Sequence, residues 1–590
     1  MYDLIRDASV GQAIRFLTRN RVLKYPEEEE DYQLPQQYVD ILSGREKLEG
    51  DTAAPISSND TPNNNNDDDD ADVDIEILGR THTRRSSVVG PRFSVERVQE
   101  EQEIRMQRTK SVPIVPTKTA DGVVLVDWYS TDDPANPQNW SNAKKYFILF
   151  VLCFYTWTVY CTGPVYATAE KGIQKYFGVS AVAASLGLSL YILAYGIGDL
   201  IFSPLTEIPV IGRNPVYYLT FIVFFAFSFG PTRVTTFGGL LVLRFLLGFF
   251  GSPALANGGA TVGDLFTIIN IPYGLCWWVF SAWTGPAIGP LIGGYAAMAN
   301  GWRWPMWEIV WMAAPTLVLL LLFMPETAPA TLLLQRAHRL RKLTGDARLQ
   351  SQSEIDQKHM TASAILGEAL IRPMEIMFRD PSIFFVNLYT GYFYGVFYTF
   401  FEVFPLVFPV LYGFNLGETG LSFLSCFIGV CIAIALYTAY LYFYMVPDNL
   451  KHGFREQEHR LVPAIFGSFL MPIGLFVFAW TARTTVHWIV PLVGVAIFVV
   501  GHFFTMQSLF IYLPFSYPQY AASLFAGNSL WRSGVACGSV LFARPLFINM
   551  GIARGVTLLA GLSVAGIFGT TAIYIFGKKL RARSKYAVSS

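Results

Sequence analysis

Apolar residues gather along this chain into twelve long stretches, arranged as two blocks of six. The first block covers 144–166, 181–203, 215–232, 237–263, 272–297 and 304–325, and the second covers 382–410, 419–445, 461–481, 487–513, 519–543 and 553–577. A helix of about 20 apolar residues crosses the roughly 30 Å hydrocarbon core of a bilayer. The pattern therefore predicts an all-α polytopic membrane protein with 12 transmembrane helices in two six-helix bundles, 144–327 and 381–578. The remaining segments are polar: a cytosolic tail over 1–140, a central loop over 328–380 and a basic tail over 579–590.

Composition and charge sharpen this picture. Of 590 residues, 52% are hydrophobic and 15% charged, where soluble proteins carry about 25% charged residues. Net charge is zero, but the charges are segregated. The central loop holds Arg336, Arg339, Arg341, Lys342, Arg348, Lys358, Arg372 and Arg379. Lys451, Arg455 and Arg460, and the tail residues Lys578, Lys579, Arg581, Arg583 and Lys585, fall on the same side of an even-numbered bundle. Basic loops stay in the cytosol, so both termini are expected there. The N-terminus is polar and the first long apolar run starts near Tyr146, so no cleavable signal is expected. The sequons at Asn59 and Asn139 then lie on the cytosolic side and are expected to stay unglycosylated.

The tail has parts of different character. Met1 to about Lys24 reads as a helix with Arg6, Arg15, Arg19 and Arg21 beside Val10, Ile14 and Leu17. Two readings stand side by side: a helix on an anionic leaflet, or a short solvated helix. The stretch 46–118, with Asn63–Asn66 followed by Asp67–Asp70, is too polar to build a core and is expected to be disordered. Within it, Arg84-Arg85-Ser86-Ser87 resembles a target of a basic-directed kinase, a reading that phosphate labelling sparing Ser86 and Ser87 would refute. Cys153, Cys161, Cys276, Cys426, Cys431 and Cys537 all lie in apolar stretches without metal-ligand spacing. No metal or other cofactor is expected, nor any nucleic-acid module, and no nucleophile–base set suggests an enzyme.

Several motifs bear on mechanism. Gly285, Gly289 and Gly293 recur every fourth residue and share one helix face, with Pro286, Pro290 and Gly294 interleaved. Glycine faces let helices approach closely, and each proline removes a backbone donor and bends the helix. Glu207, Gly212 and Arg213 lie in the loop after the second stretch, with Asp264 at the end of the fourth. Arg244 lies inside the fourth stretch and Glu402 inside the seventh, where buried charge is costly unless it serves function. Asn528 and Arg532 are four apart and share a face, able to line a cavity or to close it. His502 reads as a packed, hydrogen-bonded histidine. Trp277, Trp278, Tyr389, Phe393 and Tyr394 are candidate walls of a substrate cavity, since aromatic rings accept varied shapes and cations.

These motifs carry a resemblance. Six helices, a basic linker and six helices is the plan of the major facilitator fold. The segment 285–294 matches the antiporter motif of its drug:proton antiporters, Glu207–Arg213 resembles the superfamily's loop signature, and Arg244 with Gly248 matches an Arg-x-x-x-Gly motif. Asp133-Pro134-Ala135-Asn136-Pro137-Gln138-Asn139-Trp140, Trp302-Arg303-Trp304, Pro325-Glu326-Thr327, the 520–533 segment, the opening Arg6 to Glu28 and the final Leu580–Tyr586 are similar to the yeast benomyl/methotrexate and fluconazole resistance transporters. Asn214 stands where many relatives carry a second base. The resemblance implies a monomeric plasma-membrane exporter that exchanges protons for varied small-molecule drugs, including azoles and benomyl-like fungicides. It further implies a latch on the cytosolic side from Glu207, Gly212, Arg213 and Asp264, to which Asp199 is added by position. No acid occurs from Tyr146 to Ala169, where some such antiporters hold their proton acceptor, so proton coupling is assigned to Glu402 with Arg244 and Arg532. Nutrient uptake by symport and a non-transporting sensor are the competing readings.

Overall fold

Backbone N–H and C=O groups in lipid have no water to bond, so apolar stretches of this length close their hydrogen bonds within helices. The computed structural model describes residues 2–43, 111, 113–119, 122–267, 269–357, 371, 375, 377–452, 457–516 and 521–583. Asn59, the Asn/Asp run, Arg84–Ser87, Lys358, Arg372, Arg455 and the last residues from 584 lie outside the described residues.

Among the described residues, twelve long helices follow one another: α1 (Asn142–Phe177), α2 (Ala181–Glu207), α3 (Arg213–Arg233), α4 (Phe237–Leu265), α5 (Ile271–Asn300), α6 (Trp304–Phe323), α7 (Pro381–Tyr412), α8 (Leu416–Asn449), α9 (Gln457–Thr481), α10 (Ile489–Ser516), α11 (Ala521–Met550) and α12 (Ile552–Arg583). Eleven are long and apolar enough to cross a membrane. The exception is α5, which has 30 residues and so a length of about 45 Å. Its Gly, Pro, Trp and Tyr residues make it less apolar than the rest, and the same residues supply its glycine face.

Polar residues set the helix ends. The Ser141, Ser180 and Thr236 side chains accept backbone N–H groups at the starts of α1, α2 and α4, and Asp380 does so for α7. Gly178, with φ 68°, closes α1 in the left-handed conformation. α1 therefore runs eleven residues past the expected end at 166, because the polar turns after the apolar stretch remain helical until that glycine.

Within the first half α1 packs on α5 and α6, and α2 on α4; within the second, α7 packs on α11 and α9 on both α10 and α12. The halves meet along α2–α11 and α5–α8. We call the end of the bundle carrying Asn142 and Arg583 the terminal face.

The tail and central loop, expected as separate solvated segments, fold together over the terminal face. The strand β1 (Val124–Leu125) pairs in parallel with β2 (Leu349–Gln350). Tyr38, Ile41, Val124, Val126, Ala337, Leu340 and Leu349 form a small second core, with the last three drawn from the loop. The Ile114 N–H donates to Tyr129 and the Leu125 N–H to Thr117. Ordered pairing thus begins inside the 46–118 stretch, contrary to the expectation of disorder up to 118, because 113–118 have a strand to pair with. Arg336 pairs with Asp133 at 2.7 Å and with Glu27 at 3.3 Å, its guanidinium 4.0 Å from the Tyr129 ring centre. Arg6, Arg15 and Arg339 surround the Tyr25 ring at 4.5, 4.4 and 4.1 Å. The motif ahead of α1 and the chain's opening segment are thereby used as structural staples.

Candidate functional site

Three polar layers lie along the bundle. Near the terminal face, Arg213 begins α3 and Asp264 ends α4, with both side chains buried. Arg213 Nε donates to Asp264 Oδ2 at 2.5 Å and Nη2 to Oδ1 at 3.3 Å. Glu326, just beyond α6, accepts the backbone N–H groups of Arg213, Asn214, Thr327 and Ala328 at 3.2, 3.1, 3.0 and 2.8 Å. A carboxylate at a helix N-terminus is favoured by the exposed N–H groups and the helix dipole. Gly212, at φ 78°, gives it room: an added Cβ would sit 2.4 Å from Glu326 Oε2.

Two members of the expected latch stand apart. Glu207 is exposed, within electrostatic reach of Arg213 but outside the bonded set. Asp199 is buried and accepts a hydrogen bond from Ser529 of α11, so it ties α2 to the second half rather than joining Arg213. The Arg213–Asp264–Glu326 set is internal to the first half and does not bridge the two. Glu326 was legible only as part of a resembled segment; its role depends on the loop geometry.

The middle layer is aromatic. A cavity of about 40 Å³ is lined by residues that include Tyr160, Trp278, Trp283, Tyr394, Tyr398 and Arg532. That volume has room for a few waters and is too small for a drug-sized molecule. The Tyr195 hydroxyl is 2.5 Å from that of Tyr394 and 3.4 Å from that of Tyr398. Arg532 lies 5.0 Å from the Tyr394 ring centre and 5.4 Å from that of Phe510, and within electrostatic reach of Asp199.

Of the expected wall residues, Trp278 and Tyr394 reach this cavity. Trp277 is 53% exposed on the outer surface, because its neighbour on a helix points about 100° away. Tyr389 and Phe393 are buried in contact with each other inside the second half. Asn528 donates to Asn387 and Thr390 at 2.8 and 2.7 Å, packing α11 on α7. Tyr160, Trp283 and Tyr398 were missed; the four-residue spacing of Tyr394 and Tyr398 was the available signal. His502 packs edge-on against Trp283 at 4.6 Å, but neither ring nitrogen has a hydrogen-bond partner among the described residues, so the hydrogen-bonded expectation does not hold.

The third layer lies toward the face opposite the termini. Glu402 is buried in α7, 3.9 Å from Arg544 of α11. Glu170, in the extension of α1, is within electrostatic reach of Glu402, Arg544 and Arg244. One oxygen of each carboxylate is buried without a hydrogen-bond partner among the described residues. Arg244 donates to the carbonyls of Gly187 and Thr162 at 3.1 and 3.2 Å and lies against the Tyr166 and Tyr191 rings, with Nη2 lacking a hydrogen-bond partner among the described residues. Glu170 was missed because the apolar stretch ends before it. The layer joins acids from both halves, and each retains an oxygen able to take a proton.

The glycine face of α5 also resolves into two parts. An added Cβ on Gly285 would lie 2.9 Å from the Trp157 carbonyl, on Gly289 3.1 Å from that of Cys161, and on Gly293 2.6 Å from the Thr168 hydroxyl. This face therefore packs on α1, within the first half. The close approach of α5 to α8 across the halves involves Gly294, 2.8 Å from the Leu416 carbonyl by the same measure, and Gly420, against that of Pro290.

A bundle of membrane-length helices closing two halves around a central cavity defines a polytopic membrane transporter. The chain belongs to the Major Facilitator Superfamily, whose sequence profile matches residues 147–539. The MFS-type transporter pyvG of Aspergillus violaceofuscus is 42% identical, covering 80% of this chain and 87% of the relative. Fluconazole resistance protein 1 of Saccharomyces cerevisiae is 37% identical over 78% and 84%, and the cycloheximide resistance protein of Candida maltosa is 33% identical over 100% of both. The proton:xylose symporter XylE of E. coli shares the fold, with a TM-score of 0.52 at 14% identity over 74% of this chain and 96% of that one. The family and relatives are transporters, not enzymes.

Proposed function

We propose that this chain is a multidrug efflux antiporter of the plasma membrane, working as a monomer with both termini cytosolic. It exports amphipathic small molecules, azoles and benomyl-like fungicides among them, in exchange for protons. The observation that carries the reading is the pair of acids: Glu402 and Glu170 come from opposite halves, and each keeps a buried oxygen without a hydrogen-bond partner among the described residues. The two carboxylates lie within electrostatic reach of each other and of Arg544 and Arg244, so a proton gained or lost at one is felt by the others. Protonation changes the attraction between the halves at this end. Substrate, held by Trp278, Tyr394 and Arg532, shifts the same equilibrium through its unequal affinity for the two states. The names of the relatives support drug export, and the aromatic cavity supports a broad substrate range.

The test is transport into proteoliposomes under an imposed pH gradient, with a fluorescent amphipathic cation or an azole as substrate. Wild type should accumulate substrate only with the gradient, and Glu402→Gln should lose the gradient dependence. Equal transport without a gradient would make the protein a facilitator. No movement of any compound in a broad panel would favour a sensor.

A further inference from the structure

The N-terminal helix Ser9–Leu17 has a buried face and an unpartnered one. Gly11 and Arg15 face inward. Arg15 is held by Glu28 at 2.8 Å and by the Tyr25 ring, and Arg6 by Asp3 and Asp7, so neither is presented outward. Ile14, Phe16 and Leu17 are exposed, the last two at 84% and 78%, and Arg19 and Arg21 beside them are exposed too.

The helix sits where membrane helices emerge. The Ser9 hydroxyl donates to Asn214, in the first turn of α3, at 3.3 Å. Ala8 bridges to Pro325, two residues beyond the end of α6. The helix packs on both. An apolar face at that level, with cations at its edge, matches an interfacial helix that inserts apolar side chains below the headgroups and sets arginines among anionic ones. A solvated helix would gain nothing from exposing Phe16 and Leu17 together.

From this placement we infer that residues 12–21 dock on an anionic lipid leaflet, with Ile14, Phe16 and Leu17 in the acyl boundary and Arg19 and Arg21 on the headgroups. Through the cap that the tail and central loop form over the terminal face, this contact anchors the central loop as well, since Glu27 and Arg336 connect the two. The inference does not depend on what the protein transports.

Full-length protein reconstituted in phosphatidylcholine vesicles would carry a photoactivatable lipid, either phosphatidylserine or phosphatidylcholine, with adducts mapped by mass spectrometry. Phosphatidylserine adducts are expected at Phe16–Leu17, exceeding phosphatidylcholine adducts on the order of fivefold for each arginine engaged. Arg19→Gln with Arg21→Gln should bring the two yields to parity while peptides at lipid-exposed Trp277 label as before. No adducts over 12–21 beside normal labelling at Trp277 would overturn the inference, as would equal yields from both lipids in the wild type. Cross-links to a second copy or to 44–110 in place of lipid would overturn it too.

Discussion

The two ends of the bundle treat buried charge in opposite ways. Near the terminal face, Arg213 meets Asp264 through two hydrogen bonds and Glu326 collects four backbone N–H groups. Near the opposite face, Glu402 and Arg544 are 3.9 Å apart and Glu170 keeps an oxygen without a hydrogen-bond partner among the described residues. The first arrangement is internal to one half and joined by direct hydrogen bonds, with Arg213 Nη1 alone left without a partner among the described residues; the second spans both halves and is joined at longer range. A satisfied network fixes one geometry, whereas an under-satisfied one responds to a proton or a neighbouring charge. The first joins elements within one half, and on the proposed mechanism the second is the place where the halves are biased.

Removing one partner from each end should separate these roles. Arg213→Ala leaves Asp264 buried without its ion pair, a loss of about 3–5 kcal/mol. It should appear as a large drop in melting temperature of the purified protein. Arg213→Ala with Asp264→Ala should recover much of it. Glu402→Gln should barely move the melting temperature while removing gradient dependence. If both single variants destabilise equally, the contrast between the two ends fails.

Glycine contacts sharpen the same comparison. Gly285→Ala forces α5 against α1 inside the first half, so it should destabilise every conformation. Gly420→Ala meets the Pro290 carbonyl across the seam. Overpacking costs about 1–3 kcal/mol, which here disfavours only the closed contact of α5 with α8. Gly420→Ala should therefore raise the accessibility of the cavity from the face opposite the termini, read by modification of a cysteine placed at Tyr398. Unchanged accessibility would show that α5 and α8 do not separate in the transport cycle.

Glu170→Gln carries a smaller expected effect, a loss of gradient-driven transport of about tenfold, or 1.4 kcal/mol. Combined with Glu402→Gln it should cost little more than Glu402→Gln alone, because coupled groups are not additive. Additive losses would mean that the two acids act independently.

What the sequence disclosed follows from the range of each interaction. The bilayer imposes a long apolar stretch on every span, so spans were legible, and the four-residue repeat of Gly285, Gly289 and Gly293 revealed a packing face but not its partner. Glu170 escaped because hydropathy ends at the lipid boundary while α1 continues to Gly178. Asp199 was placed in the latch by its position along α2, yet its partner Ser529 lies on α11, far away in the chain. Trp277 and Trp278 are indistinguishable by composition and face opposite environments. The cap was invisible for the same reason: Glu27, Asp133 and Arg336 acquire meaning only when brought together.

That cap gives the smallest effect, since nothing should change near neutral pH. Burial disfavours the charged Asp133, but the hydrogen bond and charge of Arg336, with the Tyr129 and Ala135 N–H groups, outweigh it and hold the carboxyl below its ordinary value. A lowered value in the folded state means that this stabilisation is present above the unfolded carboxyl's value, about pH 3.9. It fades as pH falls through the lower, folded value. Hydrogen exchange at Val124–Val126 and Leu349 should therefore stay slow from neutral pH to about pH 4 and accelerate below it, apart from the intrinsic pH dependence of exchange. Asp133→Asn should exchange faster throughout and lose the acid-dependent step. Acceleration already at pH 6 in the wild type would assign the cap's acid sensitivity to a group other than Asp133.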